Sequence, residues 1–356
     1  MSTGHIVTVL GPVASLGIAD AHNHLYIGRV PGAPDDAPAL TDSEGVAREL
    51  IRFRAMGGGG VVDCQPGGCG RDGRVLRALS VRTGVAVVAA TGFHRRRYYP
   101  AGALLFALSA EAAADYFLGE IWGGLEETRD EEPSPQPSPE GRGGKSEPSP
   151  QPSLGGRGSE SGPSPQPSPG GRGSQIVYPG VIKIAAEATL DDSPAALFAA
   201  AAAVAAETGY AIEVHTERGA AVEALLAYFV DRGVAPERLI FCHVDKRPDF
   251  GLHRELAAAG VLLEYDTFYR PQYDPERGVW PLLGQMLAAG WGRRVALATD
   301  MADPALWAEI GGGPGLPGIF TAIKPRLEQM GVDTATVAAL LGGNISARLM
   351  LEGNDE

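Results

Sequence analysis

The chain alternates between short apolar runs and longer helix-like stretches. The apolar runs are rich in Val, Ile, Leu and Ala and show no polar alternation, which is typical of parallel strands buried on both faces. These runs lie at residues 16–19, 61–64, 85–90, 181–185, 211–215, 239–243, 261–265 and 295–298. The helix-like stretches lie at residues 43–56, 71–82, 110–125, 193–208, 219–232, 252–259, 281–289 and 320–330.

Eight predicted strands joined by crossover helices indicate an α/β protein with a (β/α)8 barrel. A doubly wound open sheet is the alternative. That fold usually carries a Gly-rich phosphate loop after its first strand, and the sequence has none there. The length of 356 residues is compatible with one barrel. We therefore predict a single domain over residues 1–356.

One segment of low complexity interrupts this pattern at residues 131–174. The unit PSPQPS begins at Pro133, Pro148 and Pro163, and almost nothing apolar accompanies it. Such a composition cannot offset the entropy lost on ordering, so we expect a disordered insertion. A tolerated surface insertion is the favoured interpretation, and a proline-rich docking arm is the alternative.

The composition excludes several classes of protein. A formal net charge of −13 argues against nucleic-acid partners and against membrane surfaces. The sequence shows no signal-peptide pattern and no apolar run long enough to span a bilayer, which predicts a cytoplasmic protein. The three cysteines, Cys64, Cys69 and Cys242, do not form a disulfide framework. We expect small buried side chains there rather than a structural zinc site.

Residue types that bind metals stand where the predicted strands end. His22 and His24 are two residues apart, a spacing that puts both side chains on one side of an extended chain. The carboxyl ends of barrel strands meet at one mouth, where barrel enzymes place their chemistry. Imidazole and carboxylate are ligands for divalent metals. The candidate ligands are His22, His24, Lys183, His215, His243 and Asp300.

Lys183 is unusual because it interrupts the apolar strand sequence VIKIA. One interpretation is an ion pair with Glu187, Glu213 or Glu264. The other places the amine inside the barrel beside the metals, where burial and nearby cations favour the neutral form. A neutral amine can add carbon dioxide and become an anionic carbamate ligand. His5 and His253 do not belong to this set, and no serine has the GxSxG setting of a Ser-His-Asp nucleophile.

Several longer motifs accompany the candidate ligands along the chain. They are DAHNHL, GRD from Gly70, ATGFH at 90–94, YFLGEIWGGLEET at 116–128, GVIK ending at Lys183, VHTERG at 214–219, CHVD at 242–245, TDMAD at 299–303 and the closing GVDTATVAALLGGNISARLM. Together these motifs resemble the phosphotriesterase family of the amidohydrolase superfamily. The resemblance covers nearly the whole chain except the insertion.

The resemblance implies a hydrolase with two divalent metals, zinc first and manganese or cobalt as alternatives. His22, His24 and Asp300 would bind the more buried metal. His215 and His243 would bind the more exposed one. A carboxylated Lys183 and a hydroxide would bridge the pair, and Asp300 would also carry the proton to the leaving group. A homodimer is a further expectation from the family.

The loops at the mouth differ from those of organophosphate-degrading members, which have aromatic pockets. Three adjacent arginines suggest a small anionic substrate held by bidentate contacts, and a solvated basic turn is the alternative. His94 stands where the family usually has an aromatic residue. The candidate substrate contacts are His94, Arg95, Arg96, Arg97, Tyr98, Asp245 and Arg270.

These observations favour hydrolysis of a lactone, a phosphorylated sugar lactone or another small anionic ester. A phosphotriester or phosphoester hydrolase, or an amidase, is the alternative within the same chemistry. A non-catalytic metal-binding or ligand-binding homologue is the alternative from another class, although the intact ligand set argues against it.

Overall fold

A computed structural model describes residues 4–129 and 175–352 of the chain. Its strands are β1 (Ile6–Thr8), β2 (Gly11–Val13), β3 (Ile18–Asn23), β4 (Gly58–Asp63), β5 (Ala86–Gly92), β6 (Pro179–Ala185), β7 (Ile212–His215), β8 (Leu239–Cys242), β9 (Leu262–Tyr265) and β10 (Val295–Leu297). Its α-helices are α1 (Ser43–Ala55), α2 (Gly73–Thr83), α3 (Ala110–Gly123), α4 (Ala195–Thr208), α5 (Val222–Val230), α6 (Phe250–Ala259), α7 (Val279–Ala288), α8 (Lys324–Gln329), α9 (Thr334–Ala338) and α10 (Asn344–Leu349).

Strands β3 to β10 form one sheet in sequential order, and each pairs in parallel with the next. The two outermost strands of this order meet at their carboxyl ends. There the backbone N–H of Asp300 donates to the carbonyl of His22 at 2.9 Å. The N–H of Thr299 donates to the carboxylate of Asp20 at 3.0 Å. This architecture confirms the predicted (β/α)8 barrel, because a doubly wound sheet would not keep its strands in sequential order.

The strands are apolar on both faces because they separate two cores. On β5, Val87 and Ala89 pack into the layer between the strands and the helices. Their neighbours Val88 and Ala90 point into the barrel interior. Side chains alternate between the faces of a strand, so two apolar environments produce the uninterrupted apolar runs of the sequence.

The antiparallel hairpin of β1 and β2 was not predicted from the sequence. Each strand has only three residues, too few to show a period. The backbone N–H of Val9 donates to the carbonyl of Val87 at 2.9 Å. A β-carbon on Gly180 would lie 2.3 Å from the carbonyl oxygen of Val7. The hairpin therefore lies against the amino ends of β5 and β6, at the end of the barrel opposite the strand carboxyl ends.

Two element boundaries differ from the predictions for a physical reason. Helix α2 begins at Gly73 rather than at residue 71, because the side chain of Asp72 caps the N–H groups of Arg74 and Val75. Helix α5 begins at Val222 rather than at residue 219. Arg218 and Ala221 both have a φ of 56° in the left-handed region, which interrupts a helix before that point.

The predicted insertion at residues 131–174 lies outside the described residues. Its flanks meet just before β6, where the N–H of Leu125 donates to the carbonyl of Val177 at 2.7 Å. The N–H of Val177 in turn donates to the hydroxyl of Thr128 at 3.0 Å. Among residues 4–129 and 175–352, no helix combines the length and the apolar character needed to cross a bilayer.

Candidate metal centre

All six predicted metal ligands converge at the carboxyl ends of the barrel strands. The ring centroids of His22 and His24 lie 5.6 Å apart, those of His22 and His243 4.9 Å, and those of His215 and His243 4.7 Å. The Asp300 Oδ1 atom lies 3.7 Å from His24 Nε2 and 3.9 Å from His22 Nε2. The Nζ atom of Lys183 lies 3.5 Å from His22 Nε2.

Two of these residues occupy a backbone conformation that side chains other than glycine rarely adopt. His243 has a φ of 63° directly after β8, and Asp300 has a φ of 47° after β10. Such left-handed residues cost stability and cluster at functional sites. Here they end the strands abruptly and turn both side chains toward the barrel axis.

Carboxylates fix the orientation of two imidazoles. His22 Nδ1 lies 2.8 Å from Glu213 Oε1 and 3.1 Å from Glu264 Oε2. His243 Nδ1 lies 2.6 Å from Asp266 Oδ2. A ring that donates from Nδ1 presents an unprotonated Nε2, which is the form that binds a metal. Sequence reasoning missed these partners, although an acidic residue inside an apolar strand, as at Glu264, is a usable signal.

Lys183 is fully buried and makes an ion pair with Glu213, its Nζ lying 3.1 Å from Oε1. Burial opposes the charge on the amine, but the neighbouring Cys242 and Glu213 favour it and raise the pKa of Lys183 well above its usual value. Burial also raises the pKa of the Cys242 thiol well above its usual value, so the thiol is neutral. The Glu213 carboxylate is therefore the group that carries the negative charge opposite the amine. Burial alone predicts a neutral amine, but the ion pair with Glu213 favours the protonated amine.

The donor set fits divalent metal ions. Burial lowers the pKa of His24 to about 3 and that of His215 to about 4, so both rings are neutral at ordinary pH. His24 Nδ1 and His215 Nε2 are buried without a hydrogen-bond partner among the described residues. The ligand atoms of His22, His243 and Asp300 lie within 4.8 Å of one another. Neutral imidazoles beside an ionised carboxylate are the ligands that zinc and similar cations prefer.

The three cysteines are buried and free, as expected. Two of them are more than small apolar side chains, because Cys64 Sγ lies 2.8 Å from Glu213 Oε1 and Cys242 Sγ lies 3.4 Å from the same atom. Cys242 and Glu213, together with Glu264 and His22, form a second cluster of metal-binding residue types. The amine of Lys183 stands among them and already supplies their positive charge.

A cavity of about 540 Å³ opens over the ligands. Its walls include five of the seven predicted substrate contacts: His94, Arg95, Arg97, Tyr98 and Arg270.

The other two predicted contacts do not line the cavity. Arg96 is exposed, and its guanidinium lies over the ring of Phe106, 5.4 Å from the centroid. Asp245 is buried, and its Oδ2 atom accepts hydrogen bonds from the N–H groups of Asp266 and Thr267 at 3.0 and 2.9 Å. Asp245 thus holds the turn after β9.

The cations of the cavity differ in how far they are neutralised. Arg95 is paired with Glu187, at 2.6 Å, and with Glu217. Arg270 donates to the Asp300 carboxylate at 2.7 Å.

Three cations with weaker pairing remain on the cavity wall. Lys246 lies 3.9 Å from Asp266, and the half-exposed Arg97 lies 3.5 Å from the exposed Asp36. Arg29 is exposed and makes no ion pair with any described residue. The sequence analysis did not name Lys246 as a contact, although it named the neighbouring Asp245. No local pattern pointed to Arg29, which lies in the long connection between β3 and α1.

The sequence matches the model of the phosphotriesterase family over residues 4–130 and 170–349. A protein of Mycoplasma pneumoniae described only as uncharacterized is 24% identical over 277 residues, which cover 76% of this chain and 68% of that protein. The N-acetyltaurine hydrolase of Rattus norvegicus is 30% identical over 158 residues. That match covers 35% of this chain and 45% of the hydrolase, less than half of its length.

Solved structures support the same fold. A lactonase from Listeria monocytogenes superposes with a TM-score of 0.78 at 18% identity, covering 98% of this chain and all of the lactonase. A phosphotriesterase homology protein from Escherichia coli superposes with a TM-score of 0.73 at 21% identity, covering 94% of this chain and 99% of that protein. The family match spans both sides of the insertion and all six candidate ligands. The chain therefore belongs to the phosphotriesterase family and is a metal-dependent hydrolase.

Proposed function

We propose that the protein hydrolyses the ester bond of a small anionic substrate, a lactone first of all. One observation carries the proposal: a cluster of neutral imidazoles and an ionised carboxylate lies at the base of a cavity of about 540 Å³ whose wall carries positive charge. This volume suits a small molecule.

The ligand arrangement that we propose is binuclear. His22, His24 and Asp300 would hold one divalent cation, His215 and His243 would hold the other, and a carboxylated Lys183 would supply an anionic ligand to them. Zinc is the expected metal, with manganese or cobalt as substitutes. Bound divalent cations would polarise the substrate carbonyl and lower the pKa of water. Carboxylation requires Lys183 to leave its ion pair with Glu213.

Asp300 is the residue that accepts and returns the proton. Burial alone would raise the pKa of this carboxyl, but the neighbouring Arg270 and His243 lower it below its usual range. Asp300 is therefore ionised before the reaction. Because its acidity is high, a proton taken from water passes readily to the leaving oxygen.

The charges of the cavity favour an anionic substrate over a neutral phosphotriester. A neutral triester would need an apolar pocket, with the arginines of the β5 loop directed away from it. Arg96 is directed away, but Arg97 and Lys246 line the cavity and have distant counter-charges. They are placed to bind a carboxylate, phosphate or sulfonate on the substrate.

Hydrolysis of an anionic amide is the second candidate. The 30% identity to N-acetyltaurine hydrolase over 158 residues favours it. Amides and lactones both require attack of water on a carbonyl carbon, so the same residues serve either reaction. One similar protein is described as a lactonase and another as an N-acetyltaurine hydrolase, so lactones and N-acetyl amides are the two substrate classes to compare.

The test begins with the metal content of protein purified without chelator, for which we expect about two ions per chain. Turnover is then measured on lactones, phosphorylated lactones, N-acetyl amides and phosphotriesters. The Lys183→Ala variant should lose about 10–100-fold in activity, a cost typical of a perturbed metal site. Small carboxylic acids should restore part of it.

Lys324→Ala is the matched control, because that lysine lies on the surface in an ion pair with Glu328. Protein that binds no metal after incubation with zinc and bicarbonate would overturn the proposed metal centre. Loaded protein that turns over phosphotriesters alone would overturn the proposed substrate class.

A further inference from the structure

His94 is a fifth imidazole at the metal centre. It follows β5 and lines the cavity, with its ring centroid 5.1 Å from that of His215 and 6.4 Å from that of His24. The ring of Tyr98 packs edge-on against it at 4.8 Å. These distances place His94 beside one candidate ligand of each proposed metal, His215 and His24.

The main chain of His94 is held in place. Its N–H donates to the Tyr99 hydroxyl at 3.0 Å, and that hydroxyl donates to the carbonyl of Gly67 at 3.0 Å. Tyr99 is itself buried. The start of the β5 loop is thus tied to the loop after β4, so the His94 ring is presented from a fixed backbone.

A backbone N–H determines which ring nitrogen of His94 carries the proton. The N–H of Arg95 donates to His94 Nδ1 at 2.7 Å. A backbone N–H can only donate, so Nδ1 must accept through its lone pair. A nitrogen that accepts is unprotonated, and an imidazole with one unprotonated nitrogen is neutral. A neutral ring whose Nδ1 accepts carries its proton on Nε2.

The proton of the His94 ring is on the opposite nitrogen from that of two neighbouring candidate ligands. His22 and His243 direct Nδ1 at carboxylates, so as neutral metal ligands they would present an unprotonated Nε2. His94 presents an N–H instead, so its Nε2 is not available as a metal ligand. No described residue accepts a hydrogen bond from it. The acceptor for which it is suited is an oxygen of a molecule in the cavity.

We propose that His94 donates a hydrogen bond from Nε2 to the substrate oxygen that gains negative charge during hydrolysis. This inference rests on the proposed function. In the reaction the bond between the water oxygen and the carbonyl carbon forms, the bond to the leaving group breaks, and the water proton passes to the leaving group. His94 keeps its proton throughout. A fixed donor of this kind contributes about 10²–10³-fold to kcat in other hydrolases.

The first part of the test determines the tautomer without any need for activity. Long-range 1H–15N spectra of zinc-loaded protein labelled at histidine report which nitrogen is protonated. The His94 signals are assigned by their loss in the His94→Gln variant. We expect the pattern of a neutral ring with the proton on Nε2. A proton on Nδ1 would overturn the inference even if the enzyme is active.

The second part compares kinetics and metal content. His94→Phe keeps an aromatic ring without the donor, and His94→Gln places an amide N–H near the position of Nε2. We expect His94→Phe to lower kcat about 100-fold with KM within about threefold and metal content unchanged, and His94→Gln to recover at least about tenfold. His5→Phe, at the amino-terminal segment that pairs with Leu351, is the control for a histidine outside the site.

Each other outcome contradicts the proposal in a distinct way. Loss of metal in His94→Phe would make the residue a ligand. A raised KM with unchanged kcat would make it a contact to the bound substrate only. Full activity of His94→Phe would leave the ring with a packing role. Wild-type protein that hydrolyses no ester or amide would refute the proposed function, and the catalytic role of His94 with it, whatever the tautomer.

Discussion

Arg270 binds Asp300 at two points, donating to its carboxylate Oδ2 atom at 2.7 Å and to its backbone carbonyl. The other carboxylate oxygen, Oδ1, faces His22 and His24. The guanidinium therefore fixes the rotation of the carboxylate, and it supports the left-handed backbone turn on which Asp300 stands. A residue predicted from sequence to contact the substrate is thus also a positioning residue for the candidate proton acceptor.

Replacing Arg270 by methionine should lower kcat/KM by about 10–100-fold with little change in metal content. Because Arg270 lowers the pKa of Asp300, its removal should raise that pKa, and the acidic limb of the kcat profile should move to higher pH. The control is Arg277→Met, since the Arg277 side chain is 88% exposed. A pH profile that does not move would show that Arg270 does not act through Asp300.

The ion pair between Arg71 and Glu120 should contribute to stability. Both side chains are 0% exposed, and Arg71 also donates to the carbonyl of Ala90 at 2.7 Å. Arg71→Met leaves a buried carboxylate without its partner, which costs about 3–5 kcal/mol in the free energy of unfolding. Urea denaturation measures this loss.

A surface ion pair provides the comparison. Arg82 and Glu44 lie 2.6 Å apart with side chains 45% and 66% exposed. Arg82→Met should leave the free energy of unfolding nearly unchanged, because water already screens the pair. Equal losses in the two variants would contradict the argument from burial.

His253 should make the protein less stable in acid. Its ring lies between the Tyr265 hydroxyl, at 2.7 Å, and the carbonyl of Arg247, at 3.0 Å. Burial lowers the pKa of His253 from 6.5 to about 4. The folded state thus favours the neutral ring, and this contribution is complete above pH 6.5 and is lost as the pH falls toward 4.

Between pH 7.5 and pH 5.0 the contribution of His253 to the free energy of unfolding should fall by about 2 kcal/mol. The His253→Gln variant should be less stable at pH 7.5 and should lose less on acidification than the wild type. Urea denaturation at both pH values, with chelator present, measures the difference. Parallel losses in the two proteins would rule out this assignment.

Removal of residues 131–174 should leave catalysis intact. The flanks of this segment meet at Leu125, Thr128 and Val177, ahead of β6 and so at the end of the barrel opposite the cavity. Joining Asp130 to Gln175 through a short Gly-Ser linker should keep kcat/KM within about twofold, because surface loops tolerate changes of length. A large change in KM would instead indicate that the repeats act at the site.

The order of the strands and the convergence of the candidate ligands were predictable from the sequence. Strands buried on both faces appear as uninterrupted apolar runs, and their regular alternation with helices specifies a sequential parallel sheet. The carboxyl ends of such strands share one mouth, so residues such as His215 and His243 were expected to meet without knowledge of their distances. The hairpin of β1 and β2 escaped prediction because three-residue strands show no period.

Only the tertiary structure decided which charges face one another. His22 and Glu264 are 242 positions apart in the chain, and Arg95 and Glu217 are 122 apart. No local pattern relates such residues, because their contact depends on rotamers and on the exact closure of the barrel. The sequence determined which groups arrive at the mouth. The folded packing determined that Lys183 pairs with Glu213. It also determined which nitrogen of the His94 ring accepts a hydrogen bond. Both depend on hydrogen-bond geometry, which is set by atoms that only the closed barrel brings together.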